Sequence, residues 1–308
     1  MKLATSLLCA LVAYPASSLA TVINFDFNVR LPGDDDSNVV PDTYNGFGAA
    51  PDSVGNTYWN SVRRTSSGNV SSSAAINNGP AGGGPIRDSS GVATTVDILL
   101  TSTGSGSTET NIGQQRSLPS ETRHQELGNS LGYEDLMADY LQLDAPGADS
   151  AGSLGTINGT ITGLVSGTSY EIYFYGQGQL YGSNANGGTT TSGANSFFAI
   201  TNAAHDTITG PSGQTGWDGT QGGDGSLTEG IEYVRLVAVA DASGNIHFIW
   251  QNVIAGVNVA TDAAPDGSGG SSDLAALNGI QIRTVVPEPS AALLGGLGLL
   301  GLLIRRRR

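Results

Sequence analysis

Three kinds of side chain in this sequence could do chemistry, and their spacing decides which of them to consider. The histidines are His124, His205 and His247, and none forms an H-x-x-x-H or H-x-H pair. A metal bound by imidazole would therefore draw its ligands from distant loops. The acids are more numerous, 27 in all. "WDGTQGGDGSLTE" (217–229) sets Asp218, Asp224 and Glu229 in a glycine-rich loop. Carboxylates and exposed carbonyls are the ligands Ca²⁺ takes, so a structural Ca²⁺ is the ion this set would hold, although the D-x-[DN]-x-[DN]-G pattern is missing. The third group is aromatic. Tyr175, Tyr181 and Trp217 stand among glutamines and asparagines, with Asp218 beside Trp217. An aromatic shelf rimmed by amides and acids is what a sugar ring needs.

Other chemistries are excluded more firmly. No G-x-S-x-G elbow occurs, and the glycine-rich "GGGP" and "GSGST" stretches are not followed by G-K-[ST]. Carboxylate pairs for glycoside hydrolysis can be drawn from so many acids that no two stand out. The expectation is a non-enzyme; the alternative is a secreted glycoside hydrolase or lyase acting on polysaccharide. Cys9 is the only cysteine, so disulfides and thiolate metal sites are absent. Lys2 is the only lysine and Arg305 to Arg308 form the tail. Without those five positives, eight Arg face 27 acids, a balance of −19 within a formal total of −14. Such a surface repels phosphates and excludes nucleic acid as a partner.

The elements that would position these residues are strands. Segments 92–101, 155–164, 168–178, 195–202, 231–240, 244–253 and 278–285 alternate or are β-rich. Turn clusters between them predict an all-β sandwich of jelly-roll type. "VSG" (165–167) and "DASGN" (241–245) read as hairpin turns, with Gly244 at positive φ. One helix is expected over 133–143, where Tyr133, Leu136, Met137, Tyr140 and Leu141 fall at helical spacing. Long loops are expected at 66–91, 102–115, 182–194, 209–228 and 261–273. The domain division is a signal peptide over 1–20, one sandwich over 21–284 and a C-terminal segment over 285–308.

The ends are read more directly. Lys2, an apolar centre and small residues before Ala20 make a signal peptide, cut by signal peptidase between Ala20 and Thr21. At the other end Val286-Pro287-Glu288-Pro289-Ser290 precedes fourteen apolar residues, 291–304, and then Arg305, Arg306, Arg307 and Arg308. A helix of that length spans ~21 Å, short of a bilayer's ~30 Å core. Gly295, Gly296, Gly298 and Gly301 weaken it further. The arginines hold that end on the cytoplasmic side while the body is exported.

This three-part tail resembles the PEP-CTERM sorting signal of Gram-negative bacteria. The resemblance implies recognition by an exosortase, a membrane-tethered intermediate, and release to the cell surface or an exopolysaccharide matrix. It implies a structural or glycan-binding protein of a biofilm, with extracellular polysaccharide as partner. Two inner stretches carry a second resemblance. "VINFDFN" with "YNGFGAAPDSVGNTYWNSV" (44–62) looks like the opening of jelly-roll domains in exported bacterial proteins, and "LAALNGIQI" (274–282) looks like the last strand of galactose-binding-like jelly rolls. That likeness implies that the two ends of the domain pair. A local rival, "GLVSGTSYEIYFYG" (163–176), resembles a fibronectin type III corner with Tyr170 as its buried tyrosine, although the loops are too long for that domain.

Overall fold

In a computed structural model of the chain, the described residues are 22–28, 46–51, 58–63, 76–77, 85–102, 111–116, 136–137, 139–145, 154–178, 195–216, 226–254, 256–259 and 274–285. Thr21–Val285 is one compact unit, and 1–20 and 286–308 lie outside the described residues.

Fourteen strands are described: β1 Val22–Asn28, β2 Asn60–Arg63, β3 Ile76–Asn77, β4 Asp97–Ser102, β5 Asn111–Arg116, β6 Asp139–Asp144 and β7 Thr156–Thr162; then β8 Ser169–Tyr175, β9 Ser196–Thr201, β10 Ile208–Gln214, β11 Tyr233–Val239, β12 Ile246–Asn252, β13 Leu274–Leu277 and β14 Gly279–Thr284. They form a five-stranded sheet, β11-β8-β14-β1-β2, a six-stranded sheet, β10-β9-β12-β7-β4-β3, and a three-stranded sheet, β13-β6-β5. All pairings between these strands are antiparallel except β1 with β2. The chain is an all-β sandwich, and the first and last strands pair as the resemblance implied, with Phe25 opposite Ile280.

The period-2 alternation explains the packing. On β1, Ile23, Phe25 and Phe27 enter the main core; on β12, Ile246, Phe248 and Trp250 do the same. Phe174 stacks on Phe198 at 4.7 Å and meets Phe248 at 4.8 Å, so three strands from both sheets share one aromatic centre. Opposite Phe248 on β7 lies Gly159. A Cβ there would sit 2.1 Å from the Phe248 ring, so the strand carries a glycine where the ring needs the space.

Three sequence expectations change. First, 139–144 is a strand and not the second half of a helix; among the described residues only Leu136 and Met137 are helical, and they form no helix element. β6 pairs with both β5 and β13, and its two faces are both buried. Long-range pairing overrides the local helical spacing. Second, the two predicted hairpins are arches. The turn at 163–168 leads from β7 in one sheet to β8 in the other, and 240–245 leads from β11 to β12. Gly244 has φ 76°, as expected, and its carbonyl accepts Leu164 N at 3.0 Å, so the arches brace each other. The tyrosine corner is present: Tyr170 OH accepts Val165 N at 3.0 Å. Third, β5 and β10 fall in stretches expected to be loops.

Among the described residues no helix is long and apolar enough to cross a membrane. The predicted C-terminal apolar helix lies outside them.

Candidate functional site

The outer face of the six-stranded sheet collects the polar groups. Thr160 on β7 lies across from His247 on β12, which lies across from Thr201 on β9. The turn between β9 and β10 is tight, with Asn202 N bonded to Thr207 O at 3.0 Å. His205 takes a left-handed φ of 59° there, and this strained conformation swings its ring back over the sheet.

Four side chains then form a chain. His205 Nε2 lies 2.9 Å from Gly159 O and 3.3 Å from Thr160 Oγ1. Thr160 Oγ1 is also 3.3 Å from His247 Nδ1, and His247 Nε2 is 3.3 Å from Asp241 Oδ2. The partners fix the tautomers. A carbonyl only accepts, so His205 carries its proton on Nε2; a carboxylate only accepts, so neutral His247 carries its own on Nε2 and accepts the Thr160 hydroxyl at Nδ1. Burial disfavours the charged ring and holds His205 below the ordinary histidine range, against the Gly159 carbonyl. Asp241 is held below the carboxylate range by the amides of Asn245 and Ser243 and by His247.

Hydroxyl, imidazole and carboxylate in line suggest a nucleophile, but the setting does not. Thr160 sits mid-strand between β4 and β12, so the neighbouring amides are committed to the ladders and cannot form an oxyanion hole. The chain is a polar brace that fixes one turn and one arch on the sheet.

Two hollows flank it. One, about 430 Å³, is lined by Asp241, Asn245, His247, Thr201 and Val237. The other, about 470 Å³, runs over Phe197, Ile249, Gln251 and Thr201 and is bordered by His205 and Asp206. Asp206 is held below the carboxylate range by Asn202 and Thr207, which donate to it. Sequence reasoning missed this face because His205 comes from the β9–β10 turn and His247 from β12, and each looks solitary. The one legible signal was "GTINGTIT", a strand with a polar residue at every second position.

The sequence-derived candidates lie elsewhere. Tyr175 is a correction: it is fully buried on the other face of the five-stranded sheet and cannot stack on a sugar. Its hydroxyl donates to Gln281 and accepts Ala49 N, and Trp59 packs edge-on at 6.2 Å. An exposed shelf was expected because Tyr175 stands in sequence among the amides of "FYGQGQLYGSNANGG" (174–188); residues 46–51 and 58–59 cover its face of the sheet. Glu229 pairs with Arg235 at 3.5 Å, so a cation would have to displace a guanidinium. Tyr181, Trp217, Asp218 and Asp224 lie outside the described residues, as do Ala20, Thr21 and the tail from Val286 to Arg308. Among the described residues no three His, Cys, Asp or Glu cluster as metal ligands.

The same covered face holds an ion cluster around Glu171. Glu171 accepts Arg283 and the Tyr173 hydroxyl, at 3.1 Å for the latter, with Arg235 at 3.4 Å. Burial alone would raise Glu171, but Arg283, Tyr173 and Arg235 outweigh it and the carboxyl ends below its ordinary range. Burial and the Glu171 charge push Tyr173 up to about 12.

Comparison with known families matches residues 285–308 to the PEP-CTERM protein-sorting motif. The motif marks the chain as exported and sorted by exosortase to the cell envelope or surface. Comparison with curated proteins finds no match. Among solved structures, the enzymatically active domain of bacteriophage CBA120 tailspike protein 4 is similar at 8% identity and TM-score 0.28. The likeness covers 62% of this chain and 19% of the tailspike chain, and at that score it carries no argument about activity.

Proposed function

We propose that this is a cell-surface or extracellular-matrix protein of an exopolysaccharide-producing bacterium, and that its sandwich holds or organises glycan without cleaving it. The observation that carries the reading is the sorting motif at 285–308, which gives the destination. The outer face of the six-stranded sheet supports the second half. Its polar groups are hydroxyls, amides and imidazoles over an apolar floor. The two carboxylates that border its hollows, Asp206 and Asp241, are both held below the ordinary range. A glycosidase acid needs the opposite shift. The full chain, mixed with exopolysaccharide from the producing bacterium, should sediment with the polymer and release no reducing ends or unsaturated sugars. Failure to sediment with it would remove the reading, and released ends would turn it toward a polysaccharide-active enzyme.

A further inference from the structure

Thr201 Oγ1 is buried, belongs to a residue only 5% exposed, and meets no hydrogen-bond partner among the described residues. A buried hydroxyl without a partner is unfavourable unless something else supplies one. Strand parity aims the side chain outward, in line with Phe197 and Ala199 and across from His247. It therefore points to the open face and lines both hollows there.

The larger hollow has a composition that selects its occupant. Phe197 and Ile249, each 6% exposed, make the floor. Leu154, Ile208 and Val257 stand exposed at its border. No arginine or lysine lines it, and its one carboxylate, Asp206, is held ionised by its neighbours. An anionic ligand would meet repulsion with no compensating cation. A purely apolar ligand would leave the buried Thr201 hydroxyl without a partner. A neutral sugar ring offers an apolar face for the floor and hydroxyls for the polar groups. Gln251 and Asn258 are already oriented: Gln251 Nε2 donates to Thr156 Oγ1 at 2.8 Å, and Asn258 Nδ2 donates to Gln251 Oε1 at 3.2 Å.

We propose that this groove is a subsite for a neutral sugar unit of a polysaccharide, with the Thr201 hydroxyl as its deepest hydrogen-bonding group. The proposal rests on the glycan-binding reading and adds the place and the charge class. The test uses the full chain and neutral oligosaccharides cut from the producing bacterium's exopolysaccharide, with Kd measured by calorimetry. Thr201→Val keeps the shape and removes the hydroxyl; Thr201→Ser keeps the hydroxyl. Thr201→Val should weaken binding about threefold to tenfold, the worth of one neutral hydrogen bond, without lowering the melting temperature. Thr201→Ser should bind as the parent does. Equal binding by Thr201→Val would overturn the site while glycan binding stood. A Thr201→Val chain that unfolds where Thr201→Ser folds would make the hydroxyl structural, and would also overturn it. A parent chain that binds none of these oligosaccharides would remove both the site and the function it rests on.

Discussion

Replacing Gly159 by alanine would drive a methyl group into the aromatic centre of the sandwich. An added Cβ would lie 2.1 Å from Phe248 Cζ and 2.3 Å from Cε2. Carbon atoms settle about 3.5–4.0 Å apart, so something must move by more than 1 Å. Phe248 cannot retreat easily, because it is fully buried and lies 4.8 Å from Phe174, which is itself stacked on Phe198. The backbone cannot retreat either, since β7 is paired on both edges. A contact this short puts the overpacking cost at the upper end of its usual range, about 3 kcal/mol. Removing a glycine from a strand returns about 0.5–1 kcal/mol. The net loss should be about 2 kcal/mol, or about 4–8 °C in melting temperature for a domain of this size. Urea denaturation followed by the fluorescence of Trp250, buried two residues along β12, would read it. Pairing the change with Phe248→Leu should recover part of the loss, so that the double variant is more stable than the sum of the singles. A Gly159→Ala chain within about 0.5 kcal/mol of the parent would refute the claim that the glycine exists to admit the ring.

Ser196 tells of a second junction. Its hydroxyl accepts Trp250 Nε1 and Ala276 N, each at 3.0 Å, and donates to Ala276 O, tying β9 and β12 to the three-stranded sheet. Ser196→Ala should cost about 2–4 kcal/mol by stranding two buried N–H groups, which chemical denaturation would measure. Stability should also show a plateau against pH. Glu171 is lowered in the fold, so its contribution is present above about pH 4.5 and is lost as pH falls below that. His205 is lowered too and is neutral in the fold, so its contribution fades as pH falls through about 6.5. Tyr173 is raised to about 12, so its contribution is full below about pH 10 and lost between there and 12. A melting temperature that kept rising from pH 10 to 12 would contradict the Tyr173 assignment. Pro287→Ala with Glu288→Ala should leave the chain in the membrane fraction with its arginines in place, as fractionation and immunoblotting would show; normal release would count against the role of that motif.

The sandwich was legible because alternation is a local property: "IEYVRLVAVA" and "NIHFIW" show which residues face inward without reference to any partner. Pairing was not local, and apart from the β1–β14 pair the readings that depended on it went astray. Tyr140 and Leu141 satisfy helical spacing, yet β6 exists because β5 and β13 flank it, from residues 111–116 and 274–277. "DASGN" has hairpin chemistry, with Asp241 accepting Ser243 N and Asn245 N, but the strands beyond it diverge to different sheets. Tyr175 looked like a binding aromatic because its cover, residues 46–51, lies far away in the chain. The His205–Thr160–His247–Asp241 brace needed two separate strands, an arch and a left-handed turn to assemble, and no spacing encodes that. The tail was readable for the converse reason: its parts are consecutive and need no fold.

The intact mass of the protein recovered from the bacterial surface tests the assigned route most directly. The expected mass is that of a chain beginning at Thr21 and ending within or near 286–290, without Arg305 to Arg308. A surface-recovered mass that includes Met1 to Ala20 and all four terminal arginines would contradict export through the leader and sorting through the tail.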